Sequence, residues 1–143
     1  MKKSRCLIDG EDWIYTKTVK EHFFYPKNIL LDETGYKADG FGSAGNAQCG
    51  DIINVWIKVN KNTNRIKECK WRTFGCASAI ATASMMSVMV TEKGGMNIEL
   101  AKKIKPAQIV ERLGGLPTRK FHCSVLGHEA LKKAISNYLK NKK

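Results

Sequence analysis

The sequence predicts an α+β domain: a small antiparallel sheet of about three strands, packed with helices and closed by a long C-terminal helix. Three observations carry this. "IINVWIKV" alternates, with Ile53, Val55, Ile57 and Val59 on one side. The turn signal "NKNTN" follows, and "RIKECKWRTF" returns as a partner strand. In it Cys69, Trp71 and Thr73 face one way, Lys70 and Arg72 the other. Finally, "SVLGHEALKKAISNYLK" aligns Val125, Leu126, Ala130, Leu131, Ala134, Ile135 and Leu139 as one helical stripe.

The remaining elements follow in order. "WIYTKTVKEHFFY" has Ile14, Val19 and Phe23 at helical spacing, and Pro26 ends it, so a helix is predicted over Trp13–Tyr25. From Ile29 to Gln48 the chain is polar and rich in glycine, a loop with one short strand near Ala38–Gly42. After Gly75, "CASAIATASMMSVMVTEK" reads as a helix of small residues running to Gly94-Gly95. "NIELAKKI" and "PAQIVERL" are short helices, the first capped by Asn97 and the second begun by Pro106. "GGLPTRKF" is an irregular connection. No repeat or linker interrupts the 143 residues, so one domain spans 1–143, with 1–12 as a flexible N-terminal extension.

Twenty-five basic against 13 acidic side chains give a formal charge of +12. That excess suits nucleic acid, an anionic membrane or an acidic protein. The lysines are scattered, however, and no aromatic-rich recognition motif accompanies them. A solvated basic surface is the reading preferred, with no nucleic acid and no membrane as partner. The opening "MKKSRCLIDGEDW" has no apolar run and is not read as a secretory signal. Ala77–Val90 is too short and too rich in Ser and Thr to span a bilayer. A cytoplasmic location is expected, where thiols stay reduced.

There are five cysteines. An odd count in such a place argues against a disulfide framework. Cys69 sits mid-strand on the apolar side and reads as core. Cys6 lies in the N-terminal extension. The other three lie at the ends of elements: Cys49 before a strand, Cys76 at a helix start after Gly75, and Cys123 at the start of the last helix. A helix N-terminus favours thiolate over thiol. Asp51 is two residues past Cys49, and His122 directly precedes Cys123. Taken singly, each cysteine reads as a buried small hydrophobe, Asp51 as a turn or cap, and His122 as a helix-start residue bonded to backbone. Taken together at one tip of the sheet, they would offer three soft sulfurs with a carboxylate and an imidazole. Such a set selects iron–sulfur clusters, zinc or cuprous ion. No CxxC pair exists, so no zinc-ribbon template fits. His128 reads as a solvated helix residue, and His22 receives no role.

"AQCGD", "FGCASAIATAS" and "KFHCSVLGHEALKKAI" resemble, in order, the three signature segments of the iron–sulfur cluster assembly scaffolds, the IscU proteins and the N-terminal domain of NifU. "VKEHFFYPKN" is similar to that family's opening helix and its Pro-Lys/Arg-Asn turn. The resemblance runs from about Tyr15 to Tyr138, nearly the whole chain.

The resemblance implies a scaffold without turnover of its own. A transient [2Fe–2S] cluster is assembled on it from iron and persulfide sulfur and passed to apo-proteins. By motif, the ligands would be Cys49, Cys76 and Cys123 with Asp51 or His122. Lys120 would be drawn into the same site, and Cys123 would accept the persulfide. Implied partners are a cysteine desulfurase, an electron donor such as a ferredoxin, and apo iron–sulfur proteins. The scaffold would be a monomer or a cluster-bridged dimer. A DnaK-type chaperone reads Leu-Pro-Pro-Val-Lys in the IscU type, and here that run is Leu116-Pro117-Thr118-Arg119-Lys120. "ATASMM" is similar to the zinc-binding SufU branch, so the alternative is a sulfur acceptor holding Zn2+ at rest. That branch carries an insertion between the second and third cysteines and lacks the histidine before the third, which this chain has. In the second motif Ala77 stands where the family has glycine.

Overall fold

The computed structural model describes residues 3–8, 11–46, 51–75, 77–116 and 122–141. The strands are β1 (Lys3–Ile8), β2 (Glu11–Thr16), β3 (Gly40–Asn46), β4 (Asp51–Asn60) and β5 (Arg65–Phe74). The helices are α1 (Lys17–Phe24), α2 (Ala77–Thr91), α3 (Ile98–Ala101), α4 (Pro106–Arg112) and α5 (His122–Asn141). The main sheet is antiparallel in the order β3-β4-β5, and β1 and β2 pair separately as a hairpin. The α+β class and the long last helix are as the sequence predicts.

The alternation of β4 is realised side chain by side chain: Ile53, Val55, Ile57 and Val59 are all buried. β5 answers with Cys69 and Trp71 in the core and Thr73 half-buried. Ile66 is also fully buried although its position in β5 is of the opposite parity. The register explains this. Lys58 pairs with Glu68 but Val59 pairs with Ile66, so Lys67 is an extra residue and the strand bulges. One extra residue turns the side chains beyond it onto the other face.

Two predicted boundaries move. The helix expected from Trp13 begins at Lys17; Trp13 to Thr16 are strand, paired with Cys6 to Lys3. Thr16 is the point of change, because its hydroxyl accepts from the Val19 N–H and caps α1. The stretch 1–12 thus contains β1 and the start of β2, outside the main sheet. The strand expected near Ala38–Gly42 is displaced to Gly40–Asn46. Its glycines are a packing requirement. A Cβ on Gly42 would lie 2.1 Å from the Ala130 carbonyl oxygen, and one on Gly40 would lie 2.3 Å from that of Ala134. The backbone of α5 rests directly on β3.

Side chains of α5 also serve the outer margin of β3. Asn137 accepts from the Phe41 N–H, and Lys133 donates to the Ser43 carbonyl. On the other margin, Trp71 of β5 exchanges backbone bonds with the Asn28–Leu30 segment, and Ile66 donates to the Met96 carbonyl.

α2 is buried on nearly all sides, from Ala77 and Ala79 through Met86 to Val90. A helix of that kind belongs to the centre of a fold. Its buried hydroxyls are spoken for: Ser78 donates to the Tyr15 hydroxyl, and Ser84 and Ser87 hold the turn after α1. In that turn Asn28 adopts φ +65° and donates to Ser87, while Lys27 accepts from the Trp71 indole. Asn97 accepts from the Glu99 N–H and Pro106 opens α4, both as predicted.

Candidate functional site

Asn46 and Asp51 form the last pair of the β3–β4 ladder, and Ile52 pairs with Phe74 on the other side. The end of β3, the start of β4 and the end of β5 therefore share one tip of the sheet. Gly75 follows Phe74 there, and α2 starts at Ala77. α5 runs antiparallel to β3: Gly42 faces Ala130–Ala134, and Gly40 faces Ala134–Tyr138. From Gly42 to Asn46 the strand advances roughly 13 Å at about 3.3 Å per residue. At about 1.5 Å per helical residue, this corresponds to roughly nine residues back along α5. The first residues of α5, His122 and Cys123, thus lie level with Asn46 and Asp51.

Of the residues predicted for the site, Asp51 has a described side chain. Cys49, Cys76 and Lys120 lie outside the described residues, and His122 and Cys123 are described as backbone positions in the first turn of α5. Cys49 is two residues from Asp51 along the chain, and Cys76 is bonded to Gly75. Among the described residues no group of three His, Cys, Asp or Glu is placed to hold a metal ion. The structure brings together Asp51, Gly75 and the start of α2, with the first turn of α5 level with them.

The Asp51 side chain is 7% exposed. It lies against the backbone of Gly75, where an added Cβ would be 2.8 Å from Oδ1 and 3.3 Å from Cγ. The carboxylate is therefore held inward, at the start of the β5–α2 connection. The cross-strand neighbours Ile52 and Phe74 point the other way, exposed at 44% and 68%, and form an apolar rim on the outer face of the tip. A helix start favours thiolate over thiol, and the Asp51 carboxylate stands as a hard oxygen donor just before the start of α2.

The other cysteine and histidine readings separate cleanly. Cys69 is core, as expected: it is fully buried, away from solvent, and burial pushes its thiol up to about 12. His128 is not the solvated residue predicted. It is half-buried on α5, with Nδ1 enclosed and unpartnered, and burial lowers its pKa. His22 has a structural part that the sequence did not reveal. Its Nδ1 is 2.7 Å from Ser84 Oγ, which also accepts from the Lys27 N–H. The Lys27 N–H takes one acceptor site of the hydroxyl, and the direction of the bond with His22 follows the tautomer of the ring. Burial lowers the pKa of His22, with Lys27 and Arg112 adding to the effect and Glu21 opposing it. The signal available in sequence was the run of serines on an otherwise apolar helix, each of which needs a partner once buried.

A family model, the NifU-like N terminal domain, matches residues 14–143. The iron-sulfur cluster assembly scaffold protein IscU 1 of Archaeoglobus fulgidus is 45% identical over 127 residues, covering 89% of this chain and 78% of that protein. The nitrogen fixation protein NifU of Azotobacter chroococcum is 41% identical over 126 residues, covering 88% of this chain and 39% of that longer protein. Among solved structures, the N-terminal NifU-like protein of Brucella abortus superimposes with a TM-score of 0.62 at 16% identity. It covers 87% of this chain and 94% of its own, a likeness of fold. With a tip that gathers the ends of β3, β4 and β5 and the starts of α2 and α5, and a match over residues 14–143, this chain belongs to the NifU-like N-terminal domain family.

Proposed function

We propose that this protein is a scaffold on which a transient [2Fe–2S] cluster is built from iron and desulfurase-derived sulfur and from which it passes to apo-proteins. The observation that carries the reading is the convergence at one tip of the three chain segments that bear Cys49, Cys76 and Cys123, with the Asp51 carboxylate turned into the same place. The homologous scaffold and NifU proteins support it.

In this reading Cys123, in the first turn of α5, attacks the outer sulfur of a desulfurase persulfide. The S–S bond breaks, the desulfurase cysteine leaves as thiolate, and Cys123 carries the persulfide. Two electrons from a ferredoxin-type donor then reduce the sulfane sulfur to sulfide. Cys49, Cys76 and Cys123 hold the growing cluster, and Asp51 or His122 takes the fourth corner, with Lys120 near. A carboxylate or imidazole binds iron less firmly than thiolate, so that corner opens when an acceptor's ligand arrives. What leaves at the end of a cycle is the cargo the protein held, delivered to another protein, so its part is that of a carrier, as the names of the homologous scaffolds support. Reduced thiols suit the cytoplasm. A cluster bridging two copies and a cluster on one copy both satisfy the ligand set.

Anaerobic incubation with a cysteine desulfurase, cysteine, ferrous iron and a reductant tests this. The visible absorption of a [2Fe–2S] cluster is expected, with its loss in Cys76→Ser and slower transfer to an apo-ferredoxin in Asp51→Ala. Protein that takes up no iron, holds zinc through the same thiols and accepts only sulfur on Cys123 would overturn the scaffold reading in favour of a sulfur acceptor.

A further inference from the structure

Gly75 stands at the tip with ordinary backbone dihedrals, since the glycines in the left-handed region are Gly35, Gly94, Gly95, Gly114 and Gly115. Glycine is therefore not needed at 75 for its conformational freedom. It is needed for room. A Cβ there would come to 2.8 Å from Asp51 Oδ1, 2.9 Å from Ala79 Cβ and 3.3 Å from Asp51 Cγ. Gly75 itself is exposed, while the carboxylate behind it is buried. At this exposed position a methyl group would force the Asp51 carboxylate or the Ala79 methyl beneath it to shift.

We propose that Gly75 is a positioning residue: its bare backbone is the seat that keeps the Asp51 carboxylate turned in toward the starts of α2 and α5. The inference rests on the scaffold reading for its functional meaning and takes Asp51, of the two residues offered there, as the donor that opens for the acceptor. Any side chain at 75 pushes the carboxylate out of its seat, so Gly75→Ala acts on the site through Asp51. The second close atom, Ala79 Cβ, belongs to packing alone and can be removed separately.

The test is a double-mutant cycle of Gly75→Ala and Asp51→Ala, read by the rate of [2Fe–2S] transfer to an apo-ferredoxin. Each single variant is expected to slow transfer several-fold, and the double variant to be no slower than Asp51→Ala. Slowing that adds in the double variant overturns the positioning role. Because the Ala79 contact could disturb folding, the cycle is repeated with Gly75→Ala/Ala79→Gly, which relieves that contact and leaves the one with Asp51. A wild-type transfer rate in that variant overturns the role as well. The seat is also read without any metal, in the apo-protein, by the side-chain carboxyl-carbon resonance of Asp51. Gly75→Ala is expected to shift it while those of Asp32 and Asp39 stay put; an unmoved Asp51 resonance overturns the inference. This readout separates the two ideas: if the wild-type protein loads no cluster, the scaffold reading fails while the resonance still decides the role of Gly75.

Discussion

Ser84 shows how much one hydroxyl on a buried helix can carry. It accepts the Lys27 N–H at 2.9 Å and meets His22 Nδ1 at 2.7 Å, so it ties the turn after α1 to α2. Ser84→Ala strands both partners, and a loss of about 1–3 kcal/mol is expected in urea unfolding. The same contact gives a pH dependence. Burial sets the folded-state pKa of His22, and that of His128, below the ordinary 6.5. The unfolded chain then takes up these protons first, so between about 6.5 and the folded values it binds more protons than the native state. Stability is full above that window and declines as the pH falls through it. The fall in Tm on acidification is expected to shrink in His22→Gln; an unchanged fall would show that His22 does not supply it. Neither histidine was legible in sequence, because burial of a polar ring depends on which helix lies opposite.

At the scale of the element, β4 and α5 were readable because each has one face toward the core and a period that shows it. β3 was only partly readable. Its glycines looked like loop residues, whereas Gly40 and Gly42 exist to let a helix backbone approach. The bulge at Lys67 was hidden for a similar reason: no local signal marks a residue left unpaired by its partner strand. Two glycine substitutions put this in numbers. Gly42→Ala forces a methyl to within 2.1 Å of the Ala130 carbonyl oxygen, and overpacking of that kind costs roughly 1–3 kcal/mol or more. Gly127 lies within α5, and a Cβ there meets only Met86 Sδ at 3.7 Å. Gly127→Ala is expected to stabilise by up to about 1 kcal/mol through helix propensity. Paired denaturant curves check both signs.

Across the whole molecule, the candidate site draws on residues more than seventy positions apart, from Cys49 to Cys123. Their order along the chain and their resemblance to family motifs were legible; the shared tip of the elements that flank them was not, since it depends on α5 running back along β3 and on β5 delivering Gly75 beside Asp51. The cysteine in the core provides the control for that geometry. Cys69→Ser places a hydroxyl where a fully buried thiol was, costing about 1–3 kcal/mol, yet cluster yield per folded protein is expected to stay at the wild-type level. Cys76→Ser is expected to do the reverse, keeping the melting temperature and losing the chromophore. No helix among the described residues is long and apolar enough to cross a membrane.

Both margins of the central sheet are taken up by the chain itself, through Asn137 and Lys133 over β3 and through the Asn28–Leu30 and Met96 backbone along β5. These contacts, at Phe41 and Ser43 of β3 and at Ile66 and Trp71 of β5, hinder a further strand from pairing along either margin of the central sheet. The tip is a different kind of surface, where Ile52 and Phe74 present bare hydrocarbon beside the buried Asp51.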